Sequence, residues 1–227
     1  MIQWVVQNRE LVKLIYGLIV ALICLIIVFK TDKIFRISLH KGIRYFRNAF
    51  LFYCVGFLIR YVFGSNLLFS NMGGLYNPIL KALFEFFMIM GGFFLLYSLL
   101  WKKIEAPRAR YLSSLMNANI LVLYLISIII VSIDILYNSF YALFVSQIFL
   151  FTMAFAISFS NYLSKGKQRK FLMFYFIAMG LSLVAWGLNG LAALLLEWSM
   201  GVIITIYLIN IIIFLIFLSG ILNFTKH

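Results

Sequence analysis

The sequence predicts an all-α fold. It reads as a polytopic membrane protein, a single seven-transmembrane-helix bundle over residues 1–227, with the N-terminus outside and the C-terminus cytoplasmic. Three observations lead there: a composition suited to lipid, seven windows long enough to cross a bilayer, and basic residues gathered in alternate connections. The chain is 65% hydrophobic and 11% charged, with a mean hydropathy of +1.09. Soluble domains carry about 25% charged residues and about 45–50% apolar ones. A water-soluble fold of this length cannot hide so much apolar surface, because a large share of any small domain stays in contact with solvent.

A spanning helix needs about 20 mainly apolar residues. The windows that meet this are 11–29, 46–63, 79–101, 117–137, 140–163, 171–196 and 200–224. Runs such as IIIVSIDIL and IIIFLIFL are continuous, whereas membrane-barrel strands alternate over about 10 residues. The first window carries Lys13 at its start and is long enough to span, and no small-residue cleavage site follows it. The second is led by SLHKGIRYFRNAF at 38–50 and holds Arg60 near its far end. Pro78 suits the first turn of the third helix. The preceding Gly73-Gly74 and Asn77-Pro78 signal a turn. Lys81 and Glu85 stand four residues apart on one face of that third helix. Asp134 falls in the last turn of the fourth helix, and Gln147 lies in the fifth. In the sixth, Ala178, Ser182, Ala185, Asn189 and Ala192 recur at spacings of four, three, four and three, with Trp186, Gly187 and Gly190 beside them. Asn210 is the interior amide of the seventh. Trp4, Trp101 and Trp198 fall near predicted interfaces, as amphipathic rings do.

Orientation follows from charge. Nineteen Lys and Arg stand against six Asp and Glu. Lys30, Lys33, Arg36, Lys41, Arg44 and Arg47 lie between the first and second windows. Lys102, Lys103, Arg108 and Arg110 follow the third, Lys165, Lys167, Arg169 and Lys170 follow the fifth, and Lys226 lies in the tail. The positive-inside rule places these connections in the cytoplasm of a multi-pass protein of the cell membrane. Over 31–47, Lys33, Arg36, His40, Arg44 and Arg47 form one helical face, and Phe35, Leu39, Ile43, Phe46 and Phe50 a parallel apolar one. This is the pattern of an interfacial helix on anionic lipid headgroups, or of a cytoplasmic extension of helix two, with Gly42 as a bend. Lys33, Arg36, Lys41, Arg44 and Arg47 are the lipid- or partner-facing set, and a cytoplasmic signalling partner is the protein that would dock there. Topology accounts for the charge, so nucleic acid is not the expected partner.

Ionisable groups inside a span are costly and invite a functional reading. Lys13, Arg60, Glu85 and Asp134 all fall in the outer half under this orientation. Glu85 is the deepest acid, about 9 Å from the start of its helix at about 1.5 Å per residue. Two readings stand. The cations snorkel to the interface and pair with the carboxylates, or Glu85, Arg60, Asp134, Lys13, Asn189 and Trp186 line a polar ligand site open to the outside. The helix-six stripe is read in parallel as a close-packing face. No catalytic motif is present, and the two histidines, His40 and His227, lie outside the spans, so neither a metal nor a cofactor is expected. Cys24 and Cys54 sit in apolar runs and are not in a CxxC pair. Helix count and orientation are similar to those of microbial rhodopsins, but the seventh window has no lysine to hold retinal. Small three-plus-three sugar carriers have similar length, but their spans rely on prolines. This chain has only Pro78 and Pro107, and its two halves show no repeat in sequence. The functional readings are a sensor or receptor-type module, a small-molecule transporter, and an accessory subunit without a ligand.

Overall fold

The computed structural model describes residues 8–65, 76–104, 118–164, 170–194 and 200–225. Within them, seven helices are long and apolar enough to cross a membrane. They are α1 (Arg9–Ser38), α2 (Lys41–Phe57), α3 (Tyr76–Ile104), α4 (Ala118–Leu136), α5 (Tyr141–Ser164), α6 (Lys170–Leu194) and α7 (Met200–Thr225). A π-helical turn, Leu58–Phe63, prolongs α2. The exterior is greasy, as a lipid-facing surface requires: Leu22, Phe29, Leu125, Ile129, Val145 and Phe149 are all exposed. Trp4, Gly73, Gly74, Arg108, Arg110, Lys165, Lys167, Arg169, Glu197, Trp198, Lys226 and His227 lie outside the described residues.

Six helices close a ring in the order α1, α2, α3, α5, α6, α7 and back to α1, and α4 packs outside it against α3 and α5. The contacts fix the directions. α1 and α2 run antiparallel: Tyr61 meets Gly17, and the Cys54 thiol reaches the Ala21 carbonyl at 3.6 Å. α3 and α5 run parallel, because Gln147 Nε2 donates to the Met88 carbonyl at 3.3 Å and Gly92 faces Gln147 and Leu150. α7 also runs antiparallel to α2, meeting it at Tyr61–Tyr207, Phe57–Phe214 and Phe50–Phe217, and is therefore parallel to α1, where the Tyr16 and Tyr207 rings stack at 3.9 Å and Asn210 Nδ2 donates to Tyr16 Oη at 3.1 Å. The ring therefore consists of two three-helix units, α1–α3 and α5–α7, with the same order and sense, placed side by side. Helix order depends on contacts, so the two units can share it without an evident repeat in sequence.

The basic segment reads from sequence as an interfacial helix over 31–47 or as an extension of helix two, with a bend at Gly42. In the structure α1 runs to Ser38, Leu39 takes a left-handed conformation with φ 51°, and α2 begins at Lys41, so the break falls before Gly42. Lys33 and Arg36 thus extend α1, while Lys41, Arg44 and Arg47 start α2. Gly42 is needed for close approach, not for a bend: a Cβ there would stand 2.6 Å from the Trp101 indole nitrogen. Asp32 ties the two helices together. It accepts from Arg36 Nε at 2.9 Å and from Arg47, while Arg44 and Arg47 lie over the Phe35 ring at 5.6 and 6.0 Å.

Candidate functional site

The ring encloses a cavity of about 330 Å³. Every ring helix contributes to its wall and α4 does not. At one end the wall carries Arg9, Lys13 and Arg60; Arg9 and Arg60 are exposed, which makes this end the mouth. Tyr16, Tyr61 and Tyr207 follow, facing Trp186 and Asn189 of α6. Deeper, Tyr53 and Ser182 interrupt an otherwise apolar wall. The floor is Leu95, Phe151, Phe214 and Phe217, all at most 7% exposed.

Below the floor the bundle is closed by rings. Phe217 meets Phe46 at 6.0 Å and Phe50 at 5.0 Å, Phe46 meets Tyr175 at 5.8 Å, and Tyr45 meets Tyr97 at 4.5 Å. Tyr175 Oη donates to the Leu95 carbonyl at 3.2 Å and lies 3.2 Å from Ser98 Oγ. A polar group inside a bundle needs a partner, and the Tyr175 and Ser98 hydroxyls find theirs within the plug.

The π turn shapes the mouth. The Gly64 N–H reaches back to the Ile59 carbonyl at 2.9 Å, one residue further than in an α-helix. Such turns re-aim side chains and recur at functional sites. Here Tyr61 lands on Gly17, while the Arg60 guanidinium lies over Phe84 at 4.5 Å and Phe140 at 5.2 Å. Each such ring contact is worth about 0.5–2 kcal/mol. Among the described residues no carboxylate lies within 4.0 Å of Arg60. Lys13 pairs with Glu10 at 2.7 Å.

The pairing of Lys13 and Arg60 with Glu85 and Asp134, one of the two sequence readings, is not found. Lys13 has a nearer acid one helical turn away, and aromatic rings occupy the space beside Arg60. Of the six residues nominated from sequence, Lys13, Arg60, Trp186 and Asn189 line the cavity, whereas Glu85 and Asp134 do not. Asp134 caps a helix: its carboxylate accepts the Ala142 and Leu143 N–H groups at 2.9 and 2.7 Å and the Ser139 hydroxyl at 3.0 Å. Glu85 is fully buried, and neither of its oxygens has a hydrogen bond among the described residues. Lys81 Nζ stands 3.9 Å away, held over the Phe140 ring at 4.4 Å. A buried carboxyl group so weakly held costs stability. Glu85→Gln is therefore expected to leave thermal unfolding unchanged or to stabilise by up to about 2 kcal/mol; a fall in the midpoint would show that the carboxylate is better held than its contacts indicate.

Sequence reasoning missed the tyrosines. Tyr16, Tyr53 and Tyr207 sit within the spans, where a hydroxyl needs a partner or a cavity, and that signal was available. No family model, curated protein or solved structure matches the chain.

Proposed function

We propose that this is a receptor-type module of the cell membrane, with its N-terminus outside, that takes a ligand into the ring cavity from the outer face. The one-ended cavity carries this reading. Its cations and amides cluster at one end, and packed aromatic rings stop it at the other. The basic set at the far end, Lys33, Arg36, Lys41, Arg44 and Arg47, then faces the cytoplasm, toward anionic headgroups or a signalling partner. A carrier is the second reading, favoured by the two three-helix units of equal order and sense, with the cavity between them.

The test is a cysteine placed in the wall. Ser182→Cys, in sealed vesicles of either orientation, is expected to react with a membrane-impermeant thiol reagent from the outer face alone. Cys24 and Cys54 are buried and set the background. Labelling from both faces would replace the receptor with the carrier, and labelling from the inner face alone would reverse the orientation.

A further inference from the structure

We infer that the ligand is a single-chain amphiphilic anion with an oxygen function partway along its chain. The inference rests on the receptor-type reading and names the chemistry that the cavity recognises.

The head group follows from the mouth. Arg9, Lys13 and Arg60 bring three cations to the mouth, the cavity wall holds no acid among the described residues, and Lys13 is paired with Glu10. Arg60 is positioned in advance: the π turn sets its backbone, and Phe84 and Phe140 hold its guanidinium plane. A guanidinium with no carboxylate within 4.0 Å among the described residues offers a fork of donors suited to a carboxylate or phosphate. A neutral head group would leave it without a counter-charge. The chain follows from the floor, where Leu95, Phe151, Phe214 and Phe217 present only hydrocarbon and ring edges. A fully polar anion would be stripped of water there with nothing in exchange.

The oxygen follows from the middle. Tyr53 is 4% exposed, and its hydroxyl has no hydrogen-bond partner among the described residues. It lies seven residues from Arg60 along α2, roughly 10 Å deeper at the helical rise. A buried hydroxyl without a partner carries a penalty of about 1–3 kcal/mol, which a ligand oxygen at that depth removes. Ser182 Oγ donates to the Ala178 carbonyl at 2.8 Å and keeps lone pairs to accept from a ligand hydroxyl. Plain hydrocarbon would leave Tyr53 unsatisfied.

The experiment uses the full chain in lipid nanodiscs, with empty nanodiscs as the partition control. Displacement of a fluorescent polyene fatty acid, excited through Trp186, reports binding; Trp186→Phe identifies the pocket signal. Ricinoleate, which has a carboxylate and a mid-chain hydroxyl, is compared with oleate and oleyl alcohol. Ricinoleate is expected to bind about fivefold more tightly than oleate, the worth of one hydrogen bond. Oleate is expected to exceed oleyl alcohol by about tenfold or more, the worth of a charge-assisted contact. Arg60→Gln is expected to bring oleate to the level of the alcohol, with Arg60→Lys retaining most of the binding. Tyr53→Phe is expected to bring ricinoleate to the level of oleate. Oleyl alcohol binding as tightly as oleate, or ricinoleate no more tightly than oleate, would overturn the inference, as would no saturable binding of either acid. With Ser182→Cys still labelled from the outer face alone, each of these results removes the ligand class and leaves the receptor-type reading standing.

Discussion

Asp134→Ala is expected to destabilise the protein by about 3 kcal/mol, the largest single effect of removing a polar side chain. The carboxylate is fully buried and does three things at once. It satisfies two N–H groups in the first turn of α5, at Ala142 and Leu143, and it fixes Ser139 in the intervening turn. Those N–H groups have no partner within the helix, and hydrocarbon offers no water to replace one. The negative charge is also matched to the positive end of the α5 dipole. Asp134→Asn keeps an acceptor but loses the charge and one acceptor oxygen, so an intermediate loss is expected. Thermal unfolding of the purified protein in detergent orders the three: native, Asn, Ala. Equal midpoints for native and Ala would mean that the α4–α5 turn does not depend on this cap.

Gly17→Ala is expected to be as damaging, for a steric reason. A Cβ on Gly17 would stand 2.2 Å from Tyr61 Cβ and 2.9 Å from Tyr61 Cγ. The Cβ position is fixed by the backbone, so no rotamer change can clear it, and α1 and the π turn must separate. Overpacking of this kind costs about 1–3 kcal/mol. The Tyr61 ring is locked between Phe57, at 5.8 Å, and Tyr16, at 5.0 Å, so the strain cannot escape sideways. Because Arg60 precedes Tyr61 in the same turn, the carboxylate binding proposed for it should fall together with stability. Gly187→Ala is the control: nothing lies within 4 Å of the added carbon, and a helix-interior Gly→Ala change is expected to gain about 0.5–1 kcal/mol. A Gly17→Ala midpoint equal to the native one would show that the α1–α2 contact yields more readily than its geometry implies.

The spans were legible because length and hydropathy set them: the window at 140–163 became Tyr141–Ser164 and that at 200–224 became Met200–Thr225. Which face of each span looks inward was much less legible. In lipid both faces of a helix are apolar, so periodicity loses its contrast. In α7, Ile213, Phe214 and Phe217 are buried while Ile212 and Leu215 are exposed, and nothing in IIIFLIFL separates the two groups. Helix six was the exception, since its small and polar stripe marked an inward face. Ala178, Ser182, Ala185 and Ala192 are buried there, with Ser182, Trp186 and Asn189 in the cavity wall. Arg60 was legible as a charge but not as a positioned one, because a wide helical turn leaves no mark in composition. Asp134 was legible as an intramembrane acid, yet its partners are backbone groups, and residue types do not reveal those.

The place of α4 outside the ring bears on how the chain is threaded. A direct short turn from α3 to α5 would reverse α5 and everything after it. Phe140 and Leu143 would then open on the opposite side from Arg60, as would Asn189 and Tyr207, and the pocket would be divided between two faces. One extra crossing restores the sense of α5–α7. α4 therefore acts as a parity element: it adds no side chain to the cavity wall, yet it determines that both halves present their polar ends to the same compartment.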